Sequence, residues 1–302
     1  MSAPVVLLTG ATGLIGRQAV APLLARGWQV IAASRSGRAV AGADGLALDV
    51  LDRDGVARAV EGAGATHLLH LAWHDGPKDR WTAPANLDWV GASLGLLRRF
   101  TDAGGQRAVM VGTCAEYDWS LAAKGPLGED TPLRPATPYG AAKAATGLAA
   151  VAGAAALGLS LAWARPFFCY GPGEPEGRLF GDIIRGLKAG RTVECTDGLQ
   201  RRDFLMTGDL GRALVDLLAS PLEGAVNVAS GEALEVRQVV GALARALGGE
   251  DRIRLGARPR PADDPPLIVA DVTRLRQATG FRPAFDLASG VRATLAAEGG
   301  DP

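Results

Sequence analysis

The chain has 302 residues, 48% of them apolar, which is enough to bury a large core and too much for a disordered chain. Lysine plus arginine equal aspartate plus glutamate at 32 each, so no net field holds the chain on nucleic acid or on an anionic membrane, and an anionic ligand has to be met locally. Three cysteines, Cys114, Cys169 and Cys195, are few, odd in number and unclustered, which points away from a disulfide framework and towards a reducing, cytoplasmic setting.

The first element is a strand at Val5 to Leu8, reached without the basic stretch, long apolar stretch and cleavage site of a signal peptide. Thr9-Gly10-Ala11-Thr12-Gly13-Leu14-Ile15-Gly16 follows, with glycines in the spacing G-x-x-G-x-x-G, and leads into a helix from Gly16. Glycines alone make many structural turns; between a strand and a helix they make a dinucleotide-binding loop. Gly10 allows the tight turn, Gly13 lets backbone N–H groups reach a pyrophosphate, and Gly16 lets the helix pack close to the sheet, with Thr12, Leu14 and Ile15 completing the loop at the helix N-terminus.

The second strand, Gln29 to Ala33, runs into Ser34-Arg35-Ser36, where NAD-binding folds usually place an acid for the ribose 2′-hydroxyl. A small hydroxyl followed by Arg35, with Arg38 nearby, suits a 2′-phosphate instead, so NADP is favoured and NAD stays open; the bland alternative is a solvated loop charge. Asp49, at the end of the third strand, is expected at the adenine with Val50 beside it, ahead of a helix near Val56. The next strand, Thr66 to Ala72, ends in two further expected cofactor contacts, Leu71 and Ala72. His67, His70 and His74 straddle it with spacings that scatter them over different faces, so no metal site is expected.

A helix from Asn86 to Ala103, a strand at Ala108 to Gly112, a helix from Tyr139 to Leu157 and a strand at Ser160 to Arg165 continue the alternation. That order predicts an α/β fold, a doubly wound parallel Rossmann sheet with right-handed crossovers and helices on both faces. The apolar stretch around Ala141 to Leu161 is broken by Gly147, Gly153 and Gly158 and is expected to fall short of a membrane span. On its first turns Tyr139 and Lys143 stand four residues apart, hence on one face. A phenol titrates near ~10 in water, so it needs a neighbouring positive charge to serve as an acid or base near neutrality. After Arg165, Gly and Pro punctuation around shorter helices predicts a smaller α/β C-terminal lobe. Residues 1–170 are expected to form the dinucleotide-binding domain, with 201–230 returning to it, and 171–200 and 231–302 the substrate-binding lobe.

The glycine loop together with Tyr139-Gly140-Ala141-Ala142-Lys143 resembles the short-chain dehydrogenase/reductases. Further segments extend the resemblance to the extended branch of that family: His70-Leu71-Ala72, Arg165-Pro166-Phe167-Phe168-Cys169-Tyr170-Gly171-Pro172-Gly173, Arg202-Asp203-Phe204 and Val226-Asn227-Val228-Ala229-Ser230-Gly231. The resemblance implies that Thr113, following the fifth strand, orients the reacting carbonyl while Tyr139 donates the proton and the cofactor the hydride. It implies that Tyr117 lines the sugar pocket, with core packing the equal alternative, and that Asn86 supports the site, with a helix cap the equal alternative. Arg202 and Arg260 are expected at the diphosphate of a nucleotide sugar, against an internal ion pair of Arg202 with Asp203 or Asp209. Where many members carry Asn, this chain has Phe168, so the usual amide contact to the diphosphate is missing.

Sugar dehydratases of this family set an acid and a glutamate directly after the threonine. Here those positions are Cys114 and Ala115, and Glu116, one later, points to another face if the segment is extended. The expected function is therefore NADPH-dependent reduction of a keto sugar, most simply a nucleotide-linked 4-keto-6-deoxy sugar. The alternatives are an epimerase with retained NAD, a reductase of a carbonyl compound without a nucleotide, and a non-catalytic NADP-binding regulator. Members often pair through the two helices that here begin near Asn86 and Tyr139, so a homodimer is expected.

Overall fold

A computed structural model of the chain describes residues 3–299 except 75, 77 and 78. Its strands, in chain order, are β1 (Val5–Thr9), β2 (Gln29–Ser34), β3 (Asp44–Ala47), β4 (His67–His70), β5 (Arg107–Val111), β6 (Ser160–Pro166), β7 (Phe168–Tyr170), β8 (Val193–Glu194), β9 (Arg201–Met206), β10 (Gly224–Val228), β11 (Ala233–Glu235), β12 (Ile253–Arg254) and β13 (Leu267–Ile268). The helices are α1 (Gly16–Ala25), α2 (Arg53–Ala63), α3 (Ala85–Asp102), α4 (Pro138–Ala154), α5 (Leu179–Lys188), α6 (Thr207–Ala219), α7 (Val236–Ala246), α8 (Thr273–Thr279) and α9 (Leu287–Gly299).

Seven strands form one parallel sheet in the order β10-β6-β5-β4-β1-β2-β3. Alternate residues serve its two faces, as the two-residue period of a strand requires. Val6 and Leu8 of β1 and Val109 of β5 pack with α1 and α6, while Leu7, Ala108 and Met110 pack with α2, α3 and α4. Burial on both faces is why these strands read as unbroken apolar runs. The order reverses between β1 and β4, and the crevice beyond the carboxyl ends of these strands is where an open α/β sheet binds its ligand.

A smaller sheet runs β11-β9-β13, with β7 also paired to β9. It packs with α5, α7 and α9 through Phe180, Ile183, Val239, Val240, Leu243 and Val291. β8 and β12 form a separate pair.

α4 starts where Thr137 caps it by accepting from the Gly140 N–H at 3.1 Å, with Pro138 at the first helical position. By length and composition alone, Pro138–Leu157 does reach what a membrane crossing needs, with mean hydropathy 1.3, which corrects the expectation that its glycines disqualify it. In the fold its Ala142, Lys143, Thr146, Gly147 and Ala150 are buried, and the helix packs on β6 and α3. A Cβ at Gly147 would collide with the Trp163 ring, so this glycine sets how closely helix and sheet approach.

Candidate active site

The β1–α1 turn is drawn tight against the next loop. Gly10 has φ +70°, and a Cβ on Gly16 would overlap the Gly10 carbonyl oxygen. The N–H groups of Gly10 and Ala11 point to Ala33 O at 3.1 and 3.4 Å, and Gly13 N donates to Gly10 O at 3.0 Å. The N–H groups of Thr12, Leu14 and Ile15 have no acceptor among the described residues, and Ile15, at the N-cap of α1, gives no side-chain cap. Open N–H groups at the positive end of a helix are what a pyrophosphate occupies, so the residues present fit a dinucleotide.

Leu71 N donates to Thr9 O at 3.2 Å and Ala72 N to Thr9 Oγ1 at 3.4 Å, which sets the end of β4 beside this loop. At the end of β2, Arg35 is exposed, and Ser36 Oγ lies 3.4 Å from Ser34 Oγ and accepts from Arg38 N at 3.3 Å. Asp49 is exposed and accepts from Leu51 N at 3.0 Å, while Val50 is buried.

Thr113, Tyr139 and Lys143 converge beyond the carboxyl end of β5. Thr113 caps a single 3₁₀ turn, Cys114–Glu116, and its Oγ1 accepts from Ala115 N at 3.2 Å. Tyr139 is half-buried, with Trp81 edge-on at 5.2 Å between ring centroids. Burial pushes its phenol up to about 12, and the neighbouring Thr113 side chain opposes the shift. Lys143 is buried; its Nζ donates to Val111 O at 2.6 Å and stands 3.8 Å from the centroid of the Trp73 ring. Burial pulls its ammonium down to about 7, opposed by the charge of Glu116. Near neutral pH the site therefore holds a protonated phenol, able to donate, beside an ammonium close to its titration midpoint.

The sequence did not assign Glu116, yet it fixes the turn that carries Thr113. Fully buried, it accepts from Thr113 N at 2.9 Å, from Trp163 Nε1 at 3.0 Å and from Arg165 Nε at 2.7 Å. Burial pushes its carboxyl up and Arg165 opposes that. The signal that could have found it is the Thr-x-x-Glu spacing of a capping box.

A cavity of about 1280 Å³ adjoins Trp81 and is lined by Phe168, Phe204, Arg202 and the β8 segment, among others. Phe168 packs with Phe204 at 5.9 Å and Trp119 at 6.4 Å between ring centroids. The Arg202 guanidinium lies 5.6 Å over Phe168, pairs with Asp264, and donates to Pro265 O at 2.8 Å and Arg201 O at 2.9 Å. Its internal partner is thus Asp264; Asp203 instead accepts from Ser230 N, Gly231 N and Ala270 N, and Asp209 from Ala284 N, Phe285 N and Arg212. Arg260 pairs with Asp197 at 3.3 Å.

Tyr117 and Asn86 have their side chains enclosed within the fold. Tyr117 is 1% exposed, donates to Asn227 Oδ1 at 2.7 Å and accepts from Arg165 at 3.0 Å, so the core-packing alternative holds, because its hydroxyl finds partners inside the fold. Asn227 also donates to Leu127 O and Asp271 O at 2.8 and 3.0 Å. Asn86 is fully buried within the first turn of α3 and is not its cap. Its Nδ2 donates to Arg80 O and Ala83 O, both at 2.9 Å, and its Oδ1 accepts from Trp73 Nε1 at 2.8 Å, so it ties down the loop that carries Trp73 and Trp81. The histidines are separately engaged: His67 with Thr66, His70 with Thr9 and Ser93, His74 with Asp79.

Residues 6–229 match the model of the NAD dependent epimerase/dehydratase family. The chain is 31% identical to a dTDP-glucose 4,6-dehydratase of Streptomyces griseus, over 96% of this chain and 92% of the relative. It is 29% identical to a dTDP-6-deoxy-L-talose 4-dehydrogenase (NAD(+)) of Aggregatibacter actinomycetemcomitans, over 78% and 87%. Its fold is similar to that of the Thermus thermophilus UDP-glucose 4-epimerase in complex with NAD, with TM-score 0.85, 27% identity, and 97% of this chain and 98% of that chain covered.

Proposed function

Because the chain belongs to the NAD dependent epimerase/dehydratase family, and is an NAD(P)-dependent enzyme of the extended short-chain dehydrogenase/reductase type, we propose that it reduces a nucleotide-linked keto sugar, most simply a 4-keto-6-deoxy sugar, with NADPH. The observation that carries net reduction over dehydration is the state of the turn after β5. Cys114 and Ala115 offer no carboxylate, and the one acid there, Glu116, is buried and bound to Arg165, so it is not free to take a proton from a sugar.

In this reading Thr113 holds the substrate carbonyl and Tyr139 donates its proton to the carbonyl oxygen. Lys143 lowers the cost of the developing phenolate from one helical turn away. Gly10, Thr12, Gly13, Leu14, Ile15 and Gly16, with Asp49, Val50, Leu71 and Ala72, would hold NADPH, which would supply the hydride. The preference for its 2′-phosphate rests on Ser34 and Arg35 standing where an acid would serve NAD. Phe168 and Arg202 line the substrate cavity, with Arg260 nearby. Residues 1–167 with 207–230 form the cofactor half and 168–206 with 231–302 the substrate half, because β7 and β9 pair in the small sheet and not in the large one. The enzyme works as a homodimer in the cytoplasm.

Phe168 and the pairing of Arg202 with Asp264 favour one second reading, a reductase of a carbonyl compound without a nucleotide. The test is to follow NADPH and NADH absorbance against 4-keto-6-deoxy sugars carrying dTDP, GDP, CDP or UDP. NADPH consumption with one base is expected, and Tyr139→Phe abolishes it while leaving NADPH binding nearly unchanged. No consumption, with NAD bound to the protein as isolated, moves the epimerase to first place.

A further inference from the structure

Lys143 is a buried cation with no carboxylate in ion-pair contact among the described residues. Among the described residues its Nζ has one hydrogen-bond acceptor, Val111 O at 2.6 Å. What covers the ammonium is the Trp73 indole at 3.8 Å, inside the range over which a π face attracts a cation. The indole is itself held: Nε1 donates to buried Asn86 at 2.8 Å, and the ring stacks on Trp89 of α3 with centroids 5.8 Å apart and planes at 29°.

We propose that Trp73 is a positioning residue for Lys143, its indole face serving as the counter-group of the ammonium and holding it beside Tyr139. This rests on the reading that Tyr139 and Lys143 act as a pair. The other ionisable groups around Lys143 do not fill that role. Glu116, from the turn after β5, raises the ammonium's pKa through its charge but makes no ion-pair contact with it, its carboxylate being bonded to Arg165; His70, from β4, is held between Thr9 and Ser93; Tyr139, on α4 itself, is a neutral phenol. α3 brings the uncharged Asn86, Trp89 and Ser93 to this side. With burial already pulling the ammonium down to about 7, the π face bears on how much of it is present near neutrality.

The chain has four lysines, Lys78, Lys124, Lys143 and Lys188, so ¹³Cε-lysine labelling resolves Lys143, identified by its loss in Lys143→Arg. In the wild type its ε-methylene protons are displaced upfield by the indole ring current, which needs no variant to observe. Trp73→Phe keeps a ring and keeps the titration midpoint. Trp73→Leu abolishes the upfield displacement and lowers the midpoint by about one pH unit, and the alkaline limb of NADPH oxidation moves down with it. An undisplaced wild-type resonance, or a midpoint in Trp73→Leu equal to or above wild type, overturns the proposal. If Trp73→Leu does not fold, the wild-type displacement and its retention in Trp73→Phe decide. Absence of NADPH turnover in the wild type with these resonances behaving as stated sinks the reductase reading and leaves the contact standing.

Discussion

Glu116 and Arg165 show how much of this site is decided by side chains that never meet a substrate. The pair lies under the turn of Thr113 at 2.7 Å, fully enclosed, and removing one member strands the other's charge. Arg165→Met is expected to cost about 3–5 kcal/mol in urea unfolding, and the double variant with Glu116→Leu to recover most of it. Lys143 gives the companion prediction in pH. Its folded midpoint lies below the ordinary lysine value, so the ammonium is present below about 7 and lost above it, and kcat with NADPH is expected to fall as pH rises through that value. At this scale the sequence was readable where spacing alone carries chemistry: Tyr139 and Lys143 need only a helix to share a face. Glu116 was not readable, because an extended segment would have turned it away from Thr113, and the 3₁₀ turn brings it back. Nor does spacing say whether an aromatic or an amide is buried, which is why core packing at Tyr117 and a helix cap at Asn86 weigh equally with a role in the site.

At the scale of elements, His70 fastens β4 to its neighbours, to Thr9 of β1 at 2.7 Å and to Ser93 of α3 at 3.0 Å. Burial, with Lys143 adding to it, pulls this imidazole down to about 3, against an ordinary value of 6.5. The folded chain thus resists a proton that the unfolded chain accepts, so stability is complete above about 6.5 and is lost as pH falls from there towards 3. Urea midpoints between pH 7.5 and 4 are expected to drop less steeply in His70→Gln than in the wild type. Gly16→Ala tests another junction, since its methyl displaces Gly10; weaker NADPH binding, measured by fluorescence titration, is expected with the sheet intact. β1, β5 and α4 were legible because short β-branched apolar runs bounded by turn residues mark strands and a long apolar stretch marks a helix. β8, β12 and β13, at two residues each, have no period to read and exist only through their partners.

For the whole molecule, α3 and α4 pack on each other and turn Leu87 and Leu148 outward, 69% and 60% exposed. If they form the dimer face, wild-type protein sediments at twice the chain mass and Leu148→Asp at the mass of one chain, with NADPH binding retained. The doubly wound order of the first two thirds followed from alternating strands and helices. Of the stretch 201–230 expected to return to the large sheet, Gly224–Val228 pairs at its edge while β9 runs in the small one, a split set by long-range pairing that local pattern does not contain.

Asn227 sits at that return, and its side chain reaches two distant stretches, one through Tyr117 and Leu127 and the other through Asp271. On a ribosome, Thr113, Tyr139 and Lys143 emerge first, and Asn227 and Asp271, which lock the stretch from Tyr117 to Leu127 against the sheet, are made well after Lys143. The nascent enzyme therefore carries its complete chemical set long before it has a shape for it, and a chain released early has the glycine loop without a finished place for a carbonyl to react.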